Sequence, residues 1–158
     1  MPRASQEDPI KVFRFRVRVD GFVRAGFTKV TGFKRTTEQS KYREGGDNET
    51  FQVSAGLTSY GPITLTRGLI VGSSRGGDDD MYDWAEQVMS VAGGGNAANY
   101  RKDLDIEQYN AQNVRARVWT VVNSWPAEVE PTSDLDGSSS ENAVESMVLA
   151  HEGWTKSL

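Results

Sequence analysis

The chain has 158 residues, enough for one hydrophobic core but not two, and it reads as a single domain over 1–158. Its 37% hydrophobic and 25% charged residues exclude a chain disordered by composition, and no run approaches the ~18 apolar residues that a spanning helix needs. A formal net charge of -4 opposes general affinity for nucleic acid, and the absence of cysteine excludes disulfides, thiol catalysis and thiolate zinc sites.

Met1 to Asp8 carries no apolar stretch that would serve as the core of a secretion signal, so synthesis in the cytoplasm is expected. Phe13-Arg14-Phe15-Arg16-Val17-Arg18-Val19 alternates strictly, which puts Phe13, Phe15, Val17 and Val19 on one face of a strand and three arginines on the other. Asp20-Gly21 supplies a turn, and Phe22 to Phe33 reads as the return strand of an N-terminal hairpin. A third strand is expected over Thr36 to Tyr42. From Arg43 to Leu57 the pattern fails: Gly45-Gly46-Asp47-Asn48 is turn chemistry, and the apolar residues have no regular period, so a long loop is predicted. Ile63 and Leu65 then alternate with threonines as another strand.

After Gly72 to Gly77, Asp78, Asp79 and Asp80 suit the start of a helix over 81–92, with Met81, Trp84, Ala85, Val88 and Ala92 as its apolar stripe and Gly93-Gly94-Gly95 as its end. In Asp103-Leu104-Asp105-Ile106-Glu107 the carboxylates share a strand face, and in Val114-Arg115-Ala116-Arg117-Val118 the arginines do. With an odd-length loop between these strands, register brings the carboxylates opposite the arginines. Trp125-Pro126 is expected to stop the second strand. A surface loop is predicted over 130–141, and a last strand from about Asn142 to His151. A strand-rich chain with one helix predicts a mainly β fold: two packed antiparallel sheets forming a small barrel or sandwich with a flanking α-helix.

Each candidate for chemistry has a plainer reading. His151 is the single histidine, so any triad would have to be built on it, and its place between an apolar strand and Gly153-Trp154 points to a structural role. Asp78 to Asp80 lacks the ligand spacing and turn glycine of a calcium loop. Neither Gly76-Gly77 nor Gly93 to Gly95 is followed by the Lys-Ser or Lys-Thr of a phosphate loop. Arg14, Arg16, Arg18, Arg115 and Arg117 would make a basic strip, but Phe13 and Phe15 fall on the other strand face, so the stacking platform of a single-strand binder is missing. Trp84, Trp125 and Trp154 read as core or subunit-contact residues.

Several stretches, taken together and in order, carry a family resemblance. They are Val30-Thr31-Gly32-Phe33, Tyr42-Arg43-Glu44-Gly45-Gly46, Gly56-Leu57-Thr58-Ser59-Tyr60-Gly61-Pro62-Ile63-Thr64-Leu65-Thr66-Arg67-Gly68, Tyr82-Asp83-Trp84-Ala85, Ile106-Glu107-Gln108-Tyr109, and Trp125-Pro126 with Ala150-His151-Glu152-Gly153-Trp154. This set resembles the tail tube proteins of contractile injection machines: phage tail tubes, the tubes of phage-derived toxin particles, and more distantly the Hcp ring protein of type VI secretion. The resemblance implies a structural protein, not an enzyme, with no cofactor, no bound metal and no membrane anchoring.

It further implies hexameric rings stacked head-to-tail into a hollow tube. The partners it implies are a sheath protein, baseplate and tail-terminator proteins, a tape-measure protein and a cargo of DNA or protein. The protein would be made in the bacterial cytoplasm and assembled into a virion tail or injection particle. The segment 43–62, with Phe51, Val53, Leu57, Tyr60 and Pro62, is the expected ring-stacking loop. Asp103, Asp105, Glu107, Arg115 and Arg117 are the candidates for lumen or intersubunit charges. The alternative is a monomeric β-barrel binding module that grips a nucleic acid or an acidic partner through the arginine strip.

Overall fold

The computed structural model describes residues 9–22, 26–42, 45, 52–69, 79–94 and 100–158. Among these residues, nine strands and one helix follow in the order β1 (Phe15–Val19), β2 (Phe27–Thr31), β3 (Arg35–Tyr42), β4 (Gln52–Tyr60), β5 (Ile63–Gly68), α1 (Asp80–Ala92), β6 (Lys102–Tyr109), β7 (Arg115–Glu130), β8 (Val144–Ala150) and β9 (Trp154–Lys156). Seven strands make an antiparallel body in the order β1-β6-β7-β8-β5-β2 with β9 on β7, and β3 pairs with β4 in a separate two-stranded sheet. The body holds two packed layers, as the alternation predicts, but its strand path is open: β1 and β2 end it without pairing to each other among the described residues. It is not a closed barrel.

The layers share β7, whose 16 residues pair first with β6 and β9 and then, from Trp125 onward, with β8. The expectation that Trp125-Pro126 stops this strand is overturned. Asn123 takes a left-handed backbone (φ 50°), a state that Asn tolerates better than most residues, and the register shifts between Pro126 and Glu128. Pro126 sits past the last β6 partner, Lys102 opposite Ser124, beside a bulge where the missing N–H is tolerated.

Between the layers, Val17 and Val19 of β1, Leu104 and Ile106 of β6 and Val121 of β7 meet Ile63 and Leu65 of β5 and Met147 and Leu149 of β8. Met81 and Trp84 bring α1 onto this core as the helical spacing predicts, and the helix packs against β7. The chain ends the helix at Gly93, whose N–H reaches the Met89 carbonyl. The predicted N-terminal hairpin does not form, because β1 pairs with β6 and β2 with β5. The chain does turn after Val19, with the Phe22 N–H donating to the Val19 carbonyl. Phe22 then packs edge-on to Trp84 (5.7 Å between centroids) and beside Phe27 (6.4 Å) instead of starting a return strand. Phe13, expected on the apolar strand face, lies outside β1 and is 71% exposed.

Candidate functional site

Of the segment expected as an irregular loop, the part from Gln52 to Leu57 is strand in a hairpin arm, and residues 43, 44 and 46–51 lie outside the described residues. Gln52 to Tyr60 form β4, paired with β3 from Arg35↔Tyr60 out to Tyr42↔Gln52, and the described β3 side chains are all exposed. A shift between Thr37 and Gln39 sets Glu38 against Gly56 and Leu57, a bulge. Gly56 is required there by close approach: a Cβ would lie 3.2 Å from both Cβ and O of Glu38. By alternation through this register, Val53, Thr58 and Tyr60 lie on one face of the arm and Leu57 on the other. The predicted stacking set is thus divided. Val53 (57% exposed) and Leu57 (78%) project into solvent from opposite faces, Pro62 lies exposed at the root, and Tyr60 is half-buried against the body; Phe51 lies outside the described residues.

The root is an aromatic cluster. Phe33 stacks on Trp154 (4.5 Å, 22°), Trp119 meets Trp154 edge-on at 5.3 Å, and Tyr60 meets Trp154 and His151 edge-on at 5.6 and 5.9 Å. The Arg35 guanidinium lies 5.2 Å from the Trp154 ring centre. His151 is structural, with both ring nitrogens engaged. Its Nδ1 accepts from the Gly153 N–H at 3.1 Å, so Nε2 carries the ring proton and donates to the Gly61 carbonyl at 2.8 Å. β9, which the sequence reading did not anticipate, supplies Trp154.

The charged face of the body is internally paired. Tyr109 is followed by five loop residues before Arg115, the odd length that brings charges together, but the register also slips between Gln108 and Tyr109. The arginines therefore separate. Arg115 falls on the Glu107 side and reaches it at 3.4 Å, whereas Arg117 sits opposite Gln108 on the side of Ile106 and Trp119. The chief partner of the carboxylates is β1, since Arg18 lies 3.4 Å from Asp105 and 3.2 Å from Glu107. Glu107, only 3% exposed, also accepts from the Tyr109 hydroxyl at 2.6 Å, and this hydrogen bond, more than burial or Coulomb repulsion, raises the phenol pKa above its ordinary value. Asp103 accepts the Asn123 backbone N–H at 2.9 Å, and Arg14 donates to the Asn110 and Ala111 carbonyls. Of the strip, Arg18 and Arg115 are held by carboxylates and Arg14 by carbonyls, whereas Arg16 and Arg117 make no ion pair among the described residues.

One buried pair escaped the sequence reading. Arg67 of β5 lies opposite Glu145 of β8 and is ion-paired to it, with the two residues 0% and 4% exposed, and its guanidinium carbon lies 5.7 Å from the centres of both Phe22 and Phe27. The signal was present: alternation puts Arg67 on the face of Ile63 and Leu65, and Glu145 on the face of Met147 and Leu149. Among the described residues, no group of His, Cys, Asp and Glu is placed to hold a metal ion, and no helix is long and apolar enough to cross a membrane.

The fold is shared with tube-type assemblies. The chain is 24% identical, at a TM-score of 0.75, to a chain of the sheath-tube complex of an extracellular contractile injection system (PVC) in the extended state, covering 95% of this chain and 92% of that one. It is 23% identical, at a TM-score of 0.76, to a chain of the tube terminating cap of the anti-feeding prophage (AFP), covering 98% and 95%. A type six secretion system protein shares the fold at a TM-score of 0.56 and 12% identity, over 92% of this chain and 83% of that one. No curated protein matches the chain significantly in sequence. These likenesses show a shared fold. The T4-like virus tail tube protein gp19 family matches residues 11–155, and the chain belongs to that family.

Proposed function

We propose that this tail tube protein forms hexameric rings which stack through the β3–β4 arm into a hollow conduit for DNA or protein. The conduit would grow from a baseplate around a tape-measure protein, within a contractile sheath, and be closed by a terminator. The arm carries this reading. A two-stranded ribbon exposed along its described length is marginal by itself, and its apolar Val53 and Leu57 gain by being covered. Contact of an arm with a different surface of the next copy is heterologous and does not close, so it produces a filament. The role is geometric, with no reaction to catalyse.

The paired charges of Arg18, Asp105, Glu107 and Arg115 suit a lumen or subunit-contact wall in which these two arginines are already engaged by carboxylates and less open to a polyanion. The test of the arm is electron microscopy of purified Leu57→Asp beside the parent protein, with a matching baseplate as nucleus. Rings without extended tubes are expected from the variant. Tubes of parental length and number would sink the reading.

A further inference from the structure

We infer that the C-terminal segment His151 to Trp154 is the clamp that sets the angle of the arm, with Gly153 as its positioning residue. Three independent contacts tie this segment to the root of the arm. The Tyr60 ring lies so close over Gly153 that a Cβ there would meet Cε2 at 3.0 Å and Cζ at 3.1 Å, and Gly153 holds a φ of +132° that favours glycine. His151 bridges the root by accepting from Gly153 and donating to Gly61. Trp154 is enclosed by Phe33, Tyr60 and Arg35, which stand where the arm's two strands leave the body. The Gly61 N–H donates to the Lys34 carbonyl at 3.0 Å, closing the arm's base into one piece that the clamp grips as a unit. Since β9 is paired to β7 at Trp119, Thr120 and Val121, the clamp itself is fixed to the central strand of the body.

A lever follows. Restoring ordinary carbon contact under Tyr60 moves the ring by about 0.5 Å. Acting about 5 Å from the Tyr60 backbone, that shift is a rotation of about 0.1 radian, which across an arm of about 20 Å from Tyr60 to Ser54 displaces the far strand by about 2 Å. The consequence for tube growth rests on the arm being the stacking element; the clamp itself does not.

The protein has no cysteine, so Ser54→Cys on the arm and Gln112→Cys on the exposed β6–β7 turn give two unique spin-label sites. The separation between the labels is measured by pulsed electron resonance in the full chain, in Gly153→Ala and in His151→Ala, with urea unfolding as the check on folding. The expected result is a label separation shifted by about 2 Å in folded Gly153→Ala, and a distribution broader than the parent's in folded His151→Ala, which loses the bridge to Gly61. Parental distances in both variants would overturn the clamp. Should Gly153→Ala fail to fold, His151→Ala decides, because it removes the bridge without adding an atom. A displaced arm with tubes of parental length would leave the clamp standing and defeat the stacking role instead.

Discussion

Arg67→Met breaks the buried pair while keeping an unbranched side chain of similar length in its place. Glu145, 4% exposed, is then left in the core without its partner, and removing one member of a buried ion pair typically destabilises by about 3–5 kcal/mol. Loss of the guanidinium from beside Phe22 and Phe27 adds about 0.5–2 kcal/mol. For a domain of this size, roughly 2–4 °C per kcal/mol puts the fall in Tm at about 7–28 °C. The double variant Arg67→Met, Glu145→Met removes both charges and fills the space with apolar atoms, so it should return to within about 2 kcal/mol of the parent. Urea unfolding followed by tryptophan fluorescence, below the concentration of assembly, gives the four corners of the cycle. A single variant costing less than about 1 kcal/mol, or a double variant as unstable as the two singles added together, would refute the argument that the pair is held in place by the cost of orphaning a buried charge.

Trp84→Ala should cost about 3–5 kcal/mol, since the indole is buried against Phe22 and fills the contact between α1 and the core; a shift below 1 °C in calorimetry would show that the helix is not anchored there. Gly56→Val should disorganise the arm alone, bringing proteolysis between β3 and β4 while the unfolding midpoint of the body stays within about 0.5 kcal/mol of the parent. Tyr109 is held protonated above the usual phenol range, so its contribution to stability is complete at neutral pH and is lost only as pH rises through its raised pKa; ultraviolet titration should show the late phenol reverting in Glu107→Gln. Tubes should bind DNA weakly at moderate salt, and Asp103→Lys should create binding that weakens steeply on doubling the salt; tight binding by unmodified tubes would revive the arginine strip as a functional surface.

What the sequence made legible follows from burial on one face. β5 and β8 alternate because their inner residues enter the core, and α1 shows its stripe because Met81 and Trp84 do. β4 gave no such pattern, since neither face of the arm packs on a core and Val53, Ser54, Ala55, Gly56 and Leu57 are under no pressure to alternate. The Asp20-Gly21 turn was real, yet a turn fixes only its own geometry, and the partner of β1 lies far along the chain in β6. Bulges hid the rest. The slip beside Tyr109 separated Arg115 from Arg117, and the shift after Pro126 carried β7 through a residue that usually ends a strand. Arg67 and Glu145 were visible as charges in apolar phase but carried no role until the strands were seen side by side.

The sharing of β7 between the two layers has a mechanical meaning. A sandwich whose sheets meet only through side chains can shear, with one layer sliding on the other; here a single backbone runs from one layer into the next and is held by β6 and β9 on its first half and by β8 on its second. Separating one layer from the other requires stripping this strand, so amide exchange along β7 should be slower than at the outer strands β1 and β2 and should report global unfolding instead of local fraying. The two layers are therefore joined by one continuous backbone, while the β3–β4 arm lies outside that join as a separate sheet.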